Sequence, residues 1–308
     1  MTVDRRTFVK LAGAAALVPG ALAAGAATSA GPARGTPPLA GPPPPPAPWP
    51  GYRNAVVVDA LASPIQFNIP QSDLPLKAAD LDNARRSGIT ALNLTVGVVG
   101  AAAPSPFEGT VTRIAAWERE VDRHPDVLRR VRTAADLADA KATGRLGLIY
   151  GFQDVVPFEG RLDRIDLFYG LGVRIVQLTY NDRNQMGDGS LEPNDGGLSR
   201  LGHAAVSRMN DLGILVDLSH CGARTTLEGI RASSAPVSAT HPGCSSVFDH
   251  PRNKDDATLR LLADRGGVVG IYLMPFLNPA GPPTAADVLA HVEHALQVCG
   301  EDHVGIGS

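Results

Sequence analysis

The stretch GILVDLSHCGARTTLEGIRASSAPVSATH, residues 213–241, contains two apolar runs, ILVDLSH (214–220) and PVSATH (236–241), each ending in a histidine. Runs that are apolar almost throughout, rather than alternating, read as strands buried on both faces, the habit of parallel sheets. Side chains at the ends of neighbouring parallel strands converge over one mouth of the sheet. His220 and His241 are therefore expected close enough to share a metal ion. A single histidine in such a place more often just hydrogen-bonds a loop. Two on consecutive strands point to a metal or catalytic site.

The same run type recurs along the chain: AVVVDA (55–60), ALNLTV (91–96), LGLIYGFQ (146–153), VRIVQLTY (173–180), GVVGIYLM (267–274) and HVGIGS (303–308). Helical patterns separate them. SRLGHAAVSRMNDLG has Ser199 as an N-cap and Gly213 as a C-terminal stop. Eight strands alternating with helices predict a (β/α)8 TIM-type barrel. A doubly wound open sheet is the alternative, but it calls for a glycine-rich phosphate loop after an early strand, which is missing here. The eighth run ends at Ser308, so the barrel is expected to be truncated after strand eight. The strand ends, in order, offer Asp59, Gln153, Tyr180, His220, His241 and Ser308.

With 308 residues, a net charge of −3 and 44% hydrophobic residues, the chain is sized for one large globular domain. It lacks a basic stretch with interleaved aromatics, so nucleic acid is not an expected partner. Residues 1–30 read as a twin-arginine-type signal peptide: Arg5 and Arg6, an Ala/Leu/Val segment, then A-x-A-like sites near Ala21 to Ala26. That segment is too short to span a bilayer comfortably. The expectation is cleavage, export to the periplasm or beyond, and no membrane span afterwards. Residues 31–53 read as a Pro-rich linker, and residues 54–308 as the barrel. Cys221, Cys244 and Cys299 show no disulfide framework, but the first two lie near the histidines, so a thiol ligand stays open. The face from Ala290 to Val298 could serve a homodimer or simply the core.

Taken together, GILVDLSHCGARTT, PVSATHPGCSSVFDHPRNKDD, HVGIGS and the preceding VQLTYNDRNQMGDG resemble the membrane (renal) dipeptidases, peptidase family M19, over residues 54–308. The resemblance implies a barrel holding two zinc ions bridged by a glutamate and hydrolysing dipeptides or other small amides. It places His220 and His241 as ligands of the second zinc and Arg252 as the grip on the substrate carboxylate. The first strand of the family reads D-x-H-x-D, with its His and second Asp on the first zinc; here those places hold Leu61 and Ser63. The bridging glutamate is replaced by Gln153, and the substrate-facing histidine after strand four by Tyr180. Asp59 matches the leading aspartate, which is not a ligand.

Leu cannot bind zinc, Ser is a poor ligand, and a neutral Gln bridges two cations badly. The expectation is a dipeptidase-like metallohydrolase with an altered or single-metal site, zinc or another divalent ion, held by His220, His241 and Gln153. Tyr180 and Arg252 would bind substrate. Asp182 is the candidate base, with Asp188 in the same Asn/Asp/Gly-rich loop as a substitute, although such a loop is as well explained as an ordinary turn. The alternatives are a ligand-binding barrel without catalysis and an inactive fragment.

Overall fold

The structure is a computed structural model that describes residues 49–65, 74–100 and 105–308. The segments read as a signal peptide (1–30) and, nearly whole, as a Pro-rich linker (31–53) lie outside the described residues. From Gly51 to Ser308 the chain forms one compact unit. Its strands are β1 (Val58–Asp59), β2 (Ala91–Thr95), β3 (Leu128–Arg130), β4 (Leu146–Phe152), β5 (Val173–Gln177), β6 (Leu215–Asp217), β7 (Ser238–Ala239), β8 (Val268–Ile271) and β9 (Val304–Ile306). The α-helices are α1 (Ala78–Ser87), α2 (Pro106–Arg123), α3 (Ala134–Thr143), α4 (Asp163–Gly170), α5 (Arg200–Leu212), α6 (Ala223–Ala232), α7 (Asp256–Asp264) and α8 (Ala285–Cys299).

All strand pairs are parallel, in the order β1-β2-β4-β5-β6-β7-β8-β9. The seam is drawn together where the Ala60 amide donates to the Ile306 carbonyl at 3.0 Å. The result is a nearly closed (β/α)8 barrel, and each of the eight apolar runs holds one of its strands. Side chains such as Leu94, Leu148, Val176, Leu218 and Ile271 are fully buried in it, as expected when helices cover a parallel sheet.

β3 was not foreseen. It pairs with the first half of β4, from Leu128 opposite Leu146 to Arg130 opposite Leu148. β5 takes that side of β4 only from Tyr150 onward, after a register irregularity at Tyr150 and Gly151. The extra strand thus fills the wall below β5. Its sequence, Leu-Arg-Arg, carries no apolar run to announce it.

The helices begin and end as their sequences dictate. The Ser199 hydroxyl accepts from the Gly202 amide to start α5, and Gly213 at φ 73° ends it. Thr284 and Asp287 form a capping box on α8. Two glycines matter to the barrel interior. A Cβ on Gly270 would lie 2.1 Å from the Thr240 carbonyl oxygen, and one on Gly307 would lie 2.0 Å from it. Only glycine lets β8 and β9 approach the chain just before His241. No described helix is long and apolar enough to cross a membrane.

Candidate active site

The C-terminal ends of the ring strands open into a cavity of about 400 Å³. His220 and His241, at the ends of β6 and β7, form its floor, their ring centroids 4.8 Å apart. Tyr180, following β5, stacks on His220 at 4.1 Å and 19°. Gln153, following β4, places its Nε2 3.1 Å from Nε2 of His241, while its Oε1 accepts from the Thr95 hydroxyl at 3.2 Å. Nδ1 of His220 lies 2.8 Å from the Asn181 side-chain oxygen, and Nδ1 of His241 lies 2.8 Å from the Thr240 hydroxyl. Burial, then the nearby Arg252 cation, pulls both imidazoles well below their ordinary pKa, so they are neutral at pH 7.

Arg252 is buried, 3% exposed, and lines the cavity. Its Nη1 donates to the Ser219 carbonyl and its Nη2 to the His241 carbonyl, the latter at 3.1 Å. It therefore clamps the two strand ends that carry the histidines. Its Nε is buried without a partner, and no ion pair joins it to a carboxylate among the described residues, so the guanidinium is an unneutralised cation at the cavity wall. Lys254 is buried behind the same strand ends and donates to the Cys221 carbonyl at 2.6 Å and the Thr226 hydroxyl at 3.0 Å. Burial brings its pKa down to about 8.

The opposite wall is different. Leu61, Ala62, Ser63 and Ile65 line it. The Ser63 hydroxyl accepts from the Ile65 amide at 3.2 Å. Asp59 does not face a ligand. Its carboxylate accepts from the Ser308 amide at 3.1 Å, the Ser308 hydroxyl at 2.7 Å and the Leu61 amide at 3.1 Å. Burial raises its pKa despite these bonds. Tyr272, Met274, Phe276 and His250 complete the rim, with His250 stacked 4.6 Å from Phe276.

Four of the predicted site residues, Gln153, Tyr180, His220 and His241, are brought together, with Arg252 beside them. Asp182 is not: it is exposed and is not a lining residue, because Asn181 turns inward to His220 and the chain then leaves the mouth. Asp188 is tied into the loop by Arg183 and the Gly196 amide. Burial would raise its pKa, but those bonds outweigh it and hold the carboxyl below its usual range. The loop is held as a structural turn. Cys221 and Cys244 are buried and do not line the cavity; the Cys244 thiol faces the His291 carbonyl. Sequence reasoning missed Asn181 and Thr95. Asn181 could have been found, since it directly follows Tyr180 at a strand end.

Among the described residues, no group of three or more His, Cys, Asp or Glu side chains could hold a metal. The donor set does not fit a two-zinc centre, since Leu61, Ser63 and Gln153 offer no carboxylate or imidazole. The donors left toward a single divalent ion are the two neutral imidazoles and the Gln153 amide, whose oxygen would first have to leave the Thr95 hydroxyl.

A family model described as membrane dipeptidase, peptidase family M19, matches residues 54–308. The curated relatives include dipeptidase verJ of Clonostachys rogersoniana, 36% identical over 204 residues, 66% of this chain and 53% of that protein. Dipeptidase aclJ of Aspergillus oryzae is 32% identical over 206 residues, 65% of this chain and 49% of that protein. The chain thus spans about half the length of these relatives. Among solved structures, an amidohydrolase from Pseudomonas aeruginosa matches with TM-score 0.74 and 36% identity, over 83% of this chain and 74% of that one. A metallopeptidase from Rhodobacter sphaeroides, liganded with a phosphinate mimic of L-Ala-D-Ala, shares the fold at TM-score 0.71 and 23% identity, over 82% and 85% of the two chains. With a strand-end histidine pair in a parallel barrel and a family match from Asn54 to the last residue, the chain belongs to the membrane dipeptidase family, peptidase family M19.

Proposed function

We propose that the chain is a dipeptidase-like hydrolase of dipeptides or similar small amides, working with one divalent ion, zinc for preference, rather than two. The observation that carries this reading is the pairing of His220 and His241 on the cavity floor beside the cavity-lining guanidinium of Arg252. A carboxylate-bearing ligand placed against Arg252 would sit with its backbone amide over the two imidazoles. Tyr180, stacked on His220, would fix one side of that ligand, and the apolar wall at Leu61 and Ile65 would exclude water from the other. An ion held by His220, His241 and the Gln153 oxygen would polarise the scissile carbonyl and acidify a bound water. The general base is not supplied by Asp182 or Asp188 as they stand here. Twin-arginine export would place this activity outside the cytoplasm.

The test is metal analysis and dipeptide hydrolysis on the same purified protein. The expected result is about one equivalent of zinc, lost together with hydrolysis in His220→Ala. A folded, metal-free protein that is inactive after zinc addition would overturn the reading. The second reading, a binding barrel without catalysis, draws on the Gln153 amide directed at His241 Nε2. It expects dipeptide binding that persists in a chelator and is lost in Arg252→Ala.

A further inference from the structure

The buried polar groups beneath His241 form a chain whose protons can be counted. Asp217 is 1% exposed. Its Oδ1 accepts from the Ser219 amide at 3.1 Å, the Ser219 hydroxyl at 2.6 Å and the Thr240 amide at 3.0 Å. Its Oδ2 lies 2.7 Å from the Thr240 hydroxyl. That hydroxyl is also 2.8 Å from Nδ1 of His241. A threonine hydroxyl has one proton to give. Burial raises the Asp217 pKa, while four hydrogen bonds from Ser219 and Thr240 favour its carboxylate. With the Ser219 hydroxyl, 3.1 Å from that of Thr240, giving its proton to Oδ1, the Thr240 proton goes to Oδ2, and the Thr240 oxygen accepts from Nδ1–H of His241. The ring is left with its lone pair on Nε2.

The far side of the ring is compatible with this tautomer. Nε2 of His241 faces Nε2 of Gln153 at 3.1 Å. The Gln153 oxygen is engaged by the Thr95 hydroxyl, so the amide presents a donor to His241, and only a bare Nε2 can accept it. The ring is also held in place: its amide donates to the Ser219 hydroxyl at 3.0 Å, and its carbonyl accepts from Arg252.

We propose that Asp217 and Thr240 are positioning residues that fix His241 as the Nδ1–H tautomer and turn its Nε2 lone pair into the cavity. They touch no substrate. They act through His241, as an outer partner orients a ligand-bearing imidazole. Their sequence signal is the aspartate three residues before the first histidine and the threonine directly before the second. The assignment does not depend on hydrolysis or on a bound ion.

The test is nitrogen-15 NMR of the histidine side chains in the full, metal-stripped chain at pH 7.5, with His241 assigned by its loss in His241→Gln. The expected spectrum of the parent shows a protonated Nδ1 and a bare Nε2 at His241. Thr240→Ser keeps that signature. Thr240→Val, which keeps the shape and removes the hydroxyl, populates the Nε2–H form while the His220 signals stay in place. Zinc titration of the same samples should show Thr240→Ser near the parent and Thr240→Val weaker by about 10–100-fold. An Nε2–H form at His241 in the parent overturns the proposal outright, whatever the variants do. So does a Thr240→Ser spectrum as disturbed as that of Thr240→Val, since a structural defect alone would not follow the hydroxyl.

Discussion

The two walls of the cavity have been built to different standards. Beneath β6 and β7, every polar group facing the mouth has a second group behind it: Asn181 behind His220, Thr240 and Asp217 behind His241, and Arg252 across both strand ends. Beneath β1 the mouth is faced by Leu61 and Ile65, and the one carboxylate there, Asp59, is spent on Ser308 and Leu61. The contrast separates a site that is positioned from a wall that is merely filled. A side chain with buried partners can be moved only at a cost, whereas an apolar wall constrains shape and little else.

Four experiments would break or sharpen that contrast. The largest effect belongs to Arg252→Ala. Removing the guanidinium leaves the Ser219 and His241 carbonyls without these donors, and two buried acceptors at about 1–3 kcal/mol each predict a loss of about 2–6 kcal/mol. Urea denaturation measures it, and a change below 1 kcal/mol would mean that the clamp is idle. Next, Leu61→His, Ser63→Asp and Gln153→Glu together should convert the filled wall into a second ion site. Bound zinc, read by elemental analysis, should rise by about one equivalent; no rise would show that the wall needs more than ligand types.

Lys254→Met probes the support behind β6 and β7 through pH. The folded pKa of Lys254, about 8, lies below its ordinary 10.5. Below pH 8 the lysine is charged in both states and its burial cost is fully present. Between pH 8 and 10.5 the unfolded chain holds the proton more often, so the parent gains stability as pH rises. The parent should gain on Lys254→Met by about 3 kcal/mol across that window. A stability difference that is flat with pH would mean that the buried lysine keeps its ordinary pKa and stays charged across that window. Asp59→Asn should do least. One oxygen still accepts, so about 1 kcal/mol is expected, with no change in zinc content.

The positioned wall was largely legible in the sequence. His220, His241 and Arg252 stand at motif positions, and strand periodicity alone put the two histidines side by side. What could not be read was which neighbours would turn inward. Asn181 and Asp182 are adjacent in a polar loop, and only the chain direction after β5 decides that the first meets His220 and the second meets solvent. β3 was missed for a related reason. Three residues with two arginines carry no burial pattern, since their place is set by the late arrival of β5 beside β4. On the β1 wall the sequence showed the loss of ligand types, but not that Asp59 would be taken up by Ser308.

That last contact has a kinetic consequence. Asp59 and Ser308 are separated by 249 positions in the chain, and with Ala60 and Ile306 they bring the first ring strand against the last. Contacts between such distant positions carry the largest loop-closure entropy and form slowly. The βα units from β1 to β8 can associate through nearer neighbours, β1 with its apolar wall against β2, but the cavity is enclosed only when the ring shuts. Closure of the seam is therefore the step at which a set of oriented histidines becomes an enclosed chamber. Amide exchange at Ala60 should report that step, in a single proton, for the whole barrel.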